Sequence, residues 1–566
     1  MTRRRQQTVG QRVPDFGSEE HACVDLWPEA RATGDAQQDT FGVGGRACDD
    51  SWERNRRGPT RRPTSGQTDP YKSTTKWEKA GRESEESIVL TTPEETQDEG
   101  RGSTSVVSEE EGTCEGMPSG FRAWRSNNPR RVKARRLQRR LFMAAKAAPR
   151  RRFHALYDRI YRGDVLWEAW ELVRRNRGAA GVDGVRLEDV ERRGVSEFLR
   201  ELQDDLRQGR YRSKPVLRRY IPKSDGTTRP LGIPTVRDLV VQAATKIVLE
   251  AIFEADFQEC SHGFRPGRSA TDAKEQIRIV GGRGHRFVID GDIKSFFDTI
   301  DHGVLMNLLR ERISDRRVLK LIRQWLQAGV AEDGKVTRSS LGTPQGGVIS
   351  PLLANVYLNV LDRTWSQRCA HLGVLVRYAD DFVVLCRRRS QANEALRRLK
   401  ELFSELRLTL HPEKTRLVET GVGQEGFDFL GCHFRIVKSR YKGRTYLFRW
   451  PSKKSMQAVR TRVRELTDRR RLAGVKDVRD VVRELNPVLR GWGNYFRTGN
   501  ASDRFVQVDD YVWRRLVRYM SRRGGQRRKK VRGSPFNPKE WPRERFEQDH
   551  GLYRLRGTIR YPERTR

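Results

Sequence analysis

The chain has 566 residues, of which 36% are hydrophobic, and 113 Lys and Arg against 74 Asp and Glu give it a formal net charge of +39. This length exceeds what one hydrophobic core supports and predicts two to four domains. Such a charge would repel itself in a compact fold unless a polyanion neutralised it. The composition therefore favours a nucleic-acid partner over a membrane surface or a merely solvated basic surface.

The cysteine pattern and the hydropathy exclude several other classes of protein. Seven cysteines occur and none forms a Cys-x-x-Cys pair, which argues against a disulfide framework and against a zinc ribbon. No apolar run reaches the length of a membrane span. The arginines near the amino terminus have no apolar stretch behind them, so they do not form a secretory signal. We expect a cytoplasmic protein without a membrane partner.

Residues 1–120 are rich in Gly, Ser, Thr, Glu and Pro and show no sustained periodicity. This composition predicts a disordered, low-complexity extension. Residues 121–164 then form a basic segment with interleaved apolar residues, which predicts a helix that contacts an RNA backbone. A solvated charged helix remains the alternative. The candidate RNA-binding residues here are Arg135, Arg136, Arg139 and Arg140.

Ordered sequence follows from residue 165. The patterns predict a β-hairpin over 213–233 with Asp225-Gly226 as its turn, a helix over 239–253, a buried strand over 287–293, a helix over 304–330, a helix that begins at Ser350-Pro351 with Ser350 as N-cap, a strand–turn–strand unit over 374–385 and helices after residue 452. Alternating helices and short strands predict the α+β fold class.

Three carboxylates stand where apolar strands end. Asp380 and Asp381 lie between two apolar strands in the sequence LVRYADDFVVL, and Asp292 ends the strand VIDGD. Burying these acids would be costly, so we expect them at a strand end or a hairpin tip that faces a cleft. Carboxylates gathered at one sheet edge favour Mg²⁺ binding. Two such ions can activate a 3′-hydroxyl and stabilise a leaving pyrophosphate.

These residues resemble the sequence blocks of reverse transcriptases. Tyr378-Ala379-Asp380-Asp381 resembles their YxDD box, in the YADD form typical of group II intron-encoded proteins. The other matching blocks, in family order, are IPK with RPLGIP (221–234), HGFRPGRS (262–269), DIKSFFDTIDH (292–302), GTPQGG (342–347), HPEKT (411–415), FLG (429–431) and the maturase-like LNPVLRGWGNYF (485–496). The resemblance covers residues 150–520.

The resemblance implies roles for individual residues. The metal ligands would be Asp292, Asp380 and Asp381, the catalytic acids, with the Ile293 carbonyl as a further ligand of two Mg²⁺ ions. The nucleotide-binding residues would be Lys223, Arg229, Phe297 and Gln345, with Phe297 either below the sugar or simply a core aromatic. The primer- and template-binding residues would be Tyr378, Gly346 and Gly347. Arg490 and Arg497 would contact RNA.

The resemblance also implies an architecture and a function. We expect a right-hand polymerase with fingers and an antiparallel palm sheet at 165–435, a helical thumb or maturase domain at 436–520, and a basic DNA-binding-like tail at 521–566. No cysteine follows Cys432, so the Cys-pair HNH endonuclease of many relatives is not expected. The implied function is RNA-directed DNA synthesis and assistance to intron splicing and mobility, with intron RNA, target DNA and dNTPs as partners.

Two alternatives remain open at this level. The chain is either a splicing cofactor without polymerase activity or another bacterial reverse transcriptase, of the retron or diversity-generating type. The intact set of acids argues against the first, and the maturase-like block at 485–496 argues against the second.

Overall fold

A computed structural model describes residues 128–222, 228–337, 340–438, 443–468, 471, 477–523 and 541–560. The predicted extension at 1–120, the proposed nucleotide ligand Lys223 and residues 524–540 of the basic tail lie outside these ranges. The described chain mixes helices with short strands and so has the predicted α+β class.

The helices and strands are numbered in chain order. The helices are α1 (Pro129–Ala147), α2 (Tyr157–Ile160), α3 (Gly163–Arg175), α4 (Leu187–Arg193), α5 (Val195–Arg207), α6 (Val236–Phe253), α7 (Ala270–Gly282), α8 (Phe296–Thr299), α9 (His302–Arg312), α10 (Arg316–Gln327), α11 (Ser350–Thr364), α12 (Arg389–Glu405), α13 (Lys453–Leu466), α14 (Val478–Phe496), α15 (Ser502–Arg523) and α16 (Arg543–Gln548). The strands are β1 (Val216–Pro222), β2 (Thr228–Ile233), β3 (Phe287–Gly291), β4 (Val330–Glu332), β5 (Lys335–Thr337), β6 (Val374–Tyr378), β7 (Asp381–Cys386), β8 (Arg416–Glu419), β9 (Phe427–Phe429), β10 (Cys432–Lys438) and β11 (Thr445–Pro451).

The central sheet has the strand order β6-β7-β3-β8, and its neighbours are antiparallel throughout. Its middle strands are almost wholly buried, as Ile289 and Val384 show with no exposed surface. A strand that is buried on both faces reads as a continuous apolar run rather than an alternating one. That is why the sequence predicts β3, β6 and β7 correctly from hydropathy alone.

The hairpin sheet has the order β2-β1-β4-β5. β1 and β2 pair antiparallel from Leu217 with Ile233 to Pro222 with Thr228, which confirms the predicted hairpin. Its turn lies outside the described residues. β4 joins the other side of β1 in parallel.

A first hydrophobic core surrounds α6, which is buried along nearly its whole length. α1 packs against α6 and α3 through Leu137, Leu141 and Phe142. The basic helix predicted within 121–164 therefore exists and is amphipathic, with its apolar stripe in this core. The predicted boundary between the basic segment and the following domain, after residue 164, falls within α3. The two regions therefore share one core.

A second hydrophobic core joins the central sheet to the helices that follow it in the chain. The bridging sheet, with the order β11-β10-β9, places Phe427, Phe434 and Leu447 in this core together with residues of α13, α14 and α15. The predicted boundary between the palm and the thumb or maturase domain, after residue 435, falls within β10. The two regions on either side of that limit are thus continuous in one sheet.

Two details of the predicted elements are wrong. The helix expected over 304–330 is two helices, α9 and α10, which are separated where Asp315 accepts hydrogen bonds from the backbone N–H groups of Arg317 and Val318 as the N-cap of α10. Ser350 is not a side-chain N-cap either. It is the first residue of α11, and its hydroxyl donates to the Pro344 carbonyl at 2.8 Å.

Among the residues that the structure describes, no helix combines the length and the apolarity needed to cross a lipid bilayer.

Candidate active site

The strand ends of the central sheet bring the predicted acids together. Asp292 follows the last residue of β3, and Asp381 is the first residue of β7. Gly291 pairs with Phe382 and Tyr378 pairs with Asp381 in the antiparallel ladder. This register places Asp292 and Asp381 at the same edge of the sheet, and both line an open cleft of about 550 Å³.

The acids in this cleft repel one another. The cleft walls displace water from around the Asp381 carboxylate, and this desolvation raises its pKa to about 7. The negative charges of Asp380, Asp292 and Asp290 raise the pKa further. The residue keeps an exposed edge, so the raised pKa reflects enclosure by the cleft rather than full burial. Burial also raises the pKa of Asp380, with a further contribution from the charge of Asp292. A bound cation would relieve this repulsion.

Basic side chains compensate part of the acidic charge. Lys414 Nζ lies 3.0 Å from Asp292 Oδ2, and Arg416 Nη2 lies 3.3 Å from Asp290 Oδ2. Both cations come from the segment that carries the HPEKT block, in which sequence analysis assigned no individual role. Arg416 is the first residue of β8, which pairs antiparallel with β3 from Asp290 to Phe287, and Lys414 comes two residues earlier. The start of this neighbouring strand therefore brings both cations to the acids.

The donor set fits a magnesium site that is completed by substrate. Across the described ranges, no three His, Cys, Asp or Glu side chains converge as a ready-made metal cage. Mg²⁺ usually binds through one or two carboxylates and takes its other ligands from water and substrate phosphates. Asp292 and Asp381 supply such carboxylates in the cleft, while Asp380 is half-buried in the turn beside them.

The turn that carries Asp380 has a strained backbone. Ala379 has a φ of +56°, which is uncommon for a residue with a side chain. Gly263 lies directly against this turn, because a Cβ at that position would come within 2.3 Å of the Ala379 nitrogen. The turn of the YADD box therefore packs on the backbone of the HGFRPGRS block, and that contact requires glycine at position 263.

Arg377 holds this turn from below, and sequence analysis missed it. The side chain is fully buried, and it forms an ion pair with Asp362, which is equally buried. It also donates to the Ala379 carbonyl at 2.8 Å, to Asn355 Oδ1 at 3.2 Å and to Ser261 Oγ at 2.7 Å. One guanidinium thus connects the turn of the YADD box, α11 and the segment before Gly263. The signal in the sequence is a lone cation inside an apolar strand.

The backbone of the same segments adds further connections. Arg377 donates its N–H to the Cys260 carbonyl, and the His262 N–H donates to the Arg377 carbonyl. Asn355 Nδ2 donates to the Gly263 carbonyl at 2.9 Å. The Asp292 carbonyl accepts the His411 N–H at 2.8 Å, and Ile293 forms an isolated bridge with Leu410. The acids are therefore held on a rigid framework.

Of the residues predicted to hold the nucleotide, the structure describes Arg229, Phe297 and Gln345. Arg229 lies exposed on β2, and its charge acts on Asp380. Phe297 is half-buried beside Phe296, with ring centroids 5.4 Å apart, and its carbonyl accepts the Thr343 N–H. This position is compatible with both interpretations of Phe297. The structure brings Arg229 into electrostatic range of the acids, whereas Lys223 lies outside the described residues.

The loop before α11 is shaped by contacts within the protein. A Cβ on Gly346 would lie 2.2 Å from the Gly232 carbonyl oxygen, and a Cβ on Gly347 would lie 2.8 Å from Ser350 Oγ. Both glycines are thus required by packing between this loop, β2 and α11. Gln345 is half-buried in the same loop. Contact of these residues with a template or a nucleotide stays a prediction.

Two family models match parts of the chain. The reverse transcriptase (RNA-dependent DNA polymerase) family model matches residues 221–434, and the group II intron maturase-specific domain matches residues 456–534. The protein YkfC of Escherichia coli K12 is 37% identical over 343 residues, which are 54% of this chain and 89% of YkfC. The chain belongs to the group II intron-encoded reverse transcriptases. It is an RNA-directed DNA polymerase with a maturase domain.

Other relatives of this reverse transcriptase align over smaller shares of their length. The group II intron-encoded protein LtrA of Lactococcus lactis subsp. cremoris is 41% identical over 212 residues, which are 37% of this chain and 35% of LtrA. An uncharacterized 91 kDa protein in the cob intron of Schizosaccharomyces pombe is 28% identical over 439 residues, 64% of this chain and 54% of that protein. The maturase-specific match supports the group II interpretation over the retron and diversity-generating alternatives.

The predicted RNA-binding arginines of this reverse transcriptase differ in their surroundings. Arg136 and Arg140 are exposed on α1. Arg135 is half-buried, donates to Gln138 Oε1 at 3.2 Å, and has its pKa lowered by burial. Arg139 is half-buried as well. Exposure therefore favours Arg136 and Arg140 as phosphate contacts over the other two.

The maturase arginines lie at one end of α14. Arg490 is exposed, and its guanidinium lies 5.2 Å from the centre of the Tyr553 ring. The Arg497 carbonyl accepts the Arg560 N–H. Phe496 is buried in the second core, and the half-buried Trp492 packs on it with ring centroids 4.9 Å apart.

Proposed function

We propose that Asp292, Asp380 and Asp381 form the catalytic centre of RNA-templated DNA synthesis, with two Mg²⁺ ions. The observation that carries this proposal is the placement of two strand-end carboxylates in one cleft with a third in the adjoining turn. When bound, the ions would supply activation of the primer 3′-hydroxyl and charge neutralisation at the leaving pyrophosphate. The protein's own part is to hold the carboxylates at fixed positions through Arg377 and the central sheet.

The right-hand assignment supports the same reaction. We assign the central sheet to the palm, the hairpin sheet to the fingers, and α13–α15 to the thumb or maturase domain. Arg229 on the hairpin sheet is close enough for its charge to act on Asp380. Together with Lys223 it would bind the triphosphate of an incoming dNTP beside the acids. Tyr378, next to the catalytic turn, would pack near the primer end, and the Ile293 carbonyl would complete the metal ligands.

Primer extension tests the proposal directly. The purified chain should extend a DNA primer on an RNA template in Mg²⁺ and dNTPs, and EDTA should stop extension. Asp381 must lose its proton before it binds metal. Because its pKa is raised to about 7, the half-saturating Mg²⁺ concentration should fall as the pH rises from about 6 to about 8. A half-saturating concentration that does not change with pH would contradict the assignment of Asp381 as a ligand.

Phe297 provides a test of substrate selection. A side chain below the sugar excludes a 2′-hydroxyl by volume, so Phe297→Val should raise ribonucleotide incorporation relative to deoxyribonucleotide by about 10–100-fold. Phe296→Leu is the matched control, since Phe296 is buried next to it and should affect stability but not sugar preference. Single-nucleotide incorporation kinetics with both sugars measure the ratio. An unchanged ratio in an active Phe297→Val variant assigns the ring to the core.

A second activity, assistance to intron splicing, needs RNA binding rather than the metal centre. A protein that binds the folded intron better than its misfolded forms shifts the folding equilibrium by that difference in affinity. The exposed basic face of α1 and the region around Arg490 and Arg497 carry the charges for this contact. Target DNA would be contacted by the basic tail after residue 521.

The arginines of α1 make this proposal measurable. Arg136→Gln with Arg140→Gln should weaken intron RNA binding and flatten its log–log salt dependence by about one unit for each phosphate that the variant no longer neutralises. Arg135→Gln should chiefly lower stability, because that side chain is half-buried and donates a hydrogen bond to Gln138 Oε1. Arg398→Gln is the control, since Arg398 is already engaged by Glu394 and Glu401. If the salt slope of the paired variant equals that of the control, α1 is not part of the interface.

A further inference from the structure

The bridging sheet has two faces of different character. Antiparallel pairing joins His433 to Trp450, Arg435 to Phe448 and Val437 to Tyr446. Directly opposed residues share a face of a sheet. Three aromatic residues of β11, at alternate positions, therefore lie on one face. Their intervening neighbours Leu447 and Arg449 are buried on the other face.

The aromatic face is not part of either hydrophobic core. Tyr446 is 41% exposed, and Phe448 and Trp450 are half-exposed. None of the three is among the residues that pack into the second core, whereas Phe434, Ile436 and Leu447 of the same two strands are. Aromatic rings that stabilised only the fold would be expected on the buried face. We define these three exposed rings as the aromatic platform.

Basic groups border the platform. Arg435 stands opposite Phe448 on the neighbouring strand, so a cation lies beside the middle ring on the same face. The His433 ring lies 5.3 Å from the Trp450 ring, and its Nδ1 lies 2.6 Å from Asp428 Oδ1. Along β11 the rings repeat about every 6.6 Å, the rise of two strand residues. A row of rings with a cation beside it forms a surface that suits unpaired nucleobases and their phosphates.

The platform is continuous with the cleft of the proposed catalytic centre. Asp428 pairs with His433 at one end of the face, and it also lines the cleft together with Asp381 and Lys454. The strand β11, which carries the three rings, lies in the chain between the reverse transcriptase match, which ends at residue 434, and the maturase-specific match, which begins at residue 456. A strand of RNA bound on the platform would thus be placed between the regions assigned to polymerisation and to intron binding.

We propose that the aromatic platform binds unpaired bases of the host intron RNA by stacking, with Arg435 as a phosphate contact. This inference rests on the proposed RNA-binding function and names a surface for it. RNA fits better than a protein partner because the chain carries a net charge of +39 and the face combines rings with a cation. Unpaired RNA fits better than duplex because paired bases in an A-form helix do not expose their ring faces.

The test replaces the rings with a smaller apolar side chain that cannot stack. Tyr446→Leu, Phe448→Leu and Trp450→Leu together should weaken binding of single-stranded poly(U) by about tenfold or more, because each base–ring stack contributes substantially to affinity. The salt slope should not change, since the protein keeps all of its charges. Arg435→Gln should instead flatten the slope by about one unit. A blunt RNA duplex should bind the wild type and the triple variant equally.

Two controls separate the proposal from general loss of structure. Val437→Leu changes a non-aromatic residue on the same face and should leave poly(U) affinity unchanged. Tyr446→Phe keeps the ring and should behave as wild type. If the triple variant melts at a lower temperature, the poly(U) affinity of the single variant Tyr446→Leu becomes the test. Its ring is the most exposed of the three and contributes least to packing. Unchanged poly(U) affinity in that folded variant overturns the proposal.

Primer extension on an unrelated RNA template is measured in parallel. Wild-type extension with weakened poly(U) and intron RNA binding supports the platform as an RNA surface outside the catalytic centre. Abolished extension with normal poly(U) binding overturns it, because the face would then serve the primer–template duplex. Absence of extension in the wild type would contradict the proposed polymerase function and leave the binding result interpretable by itself.

Discussion

Asp380→Ala or Asp381→Ala should reduce primer extension on an RNA template by at least about a hundredfold. Loss of a group that stabilises charge in the transition state typically costs several kcal/mol, and each ~1.4 kcal/mol is a factor of ten in rate. Asp292→Ala should behave in the same way, since Asp292 shares the cleft with Asp381. Glu405→Gln is the control, because Glu405 is an exposed acid at the end of α12.

The same variants separate the two activities of the chain. The Asp380→Ala, Asp381→Ala double variant should still bind intron RNA and promote its splicing at low Mg²⁺, because carboxylates repel phosphate and do not serve that contact. Steady-state extension and splicing rates on the same preparations measure the separation. Extension within tenfold of wild type would remove the acids from the catalytic centre. Loss of splicing with RNA binding retained would show that the two activities share one site.

Arg377→Leu should destabilise the protein by about 3–5 kcal/mol, because it leaves Asp362 charged and buried without its partner. The ion pair is fully enclosed on both sides, and solvent does not reach the abandoned carboxylate. Arg377→Lys should be damaging too, since an ammonium cannot reproduce the planar set of bonds to Asp362, Asn355 and Ala379. Denaturant unfolding measures the decrease in stability.

The double variant Arg377→Leu, Asp362→Leu distinguishes a structural role from a positioning role. Replacement of a whole buried ion pair by apolar residues is often neutral or stabilising, so most of the stability should return. Primer extension should nevertheless stay at least about tenfold below wild type, because the Ala379 carbonyl and Ser261 no longer have the donor that fixes the turn of the proposed catalytic centre. If the double variant regains both stability and extension, Arg377 serves the fold alone.

The sequence by itself identified the family and the candidate catalytic acids. Asp292, Asp380 and Asp381 could be found because each follows or interrupts an apolar run, and the physical cost of burying a carboxylate allows few positions for such a residue. The buried strands could also be predicted, because each is a continuous run of apolar residues. The break between α9 and α10 was missed because a single Asp cap interrupts a pattern that remains apolar on both sides.

Only the tertiary structure decided which residues support the acids. The contact of Arg377 with Asp362 crosses 15 positions and that with Ser261 crosses 116, and nothing local in the chain specifies such pairs. The packing of Gly263 on Ala379 and the pairing of Arg435 with Phe448 likewise depend on strand register and on the approach of distant segments. Periodicity reports which residues avoid water, whereas partners across a fold are set by how the elements pack.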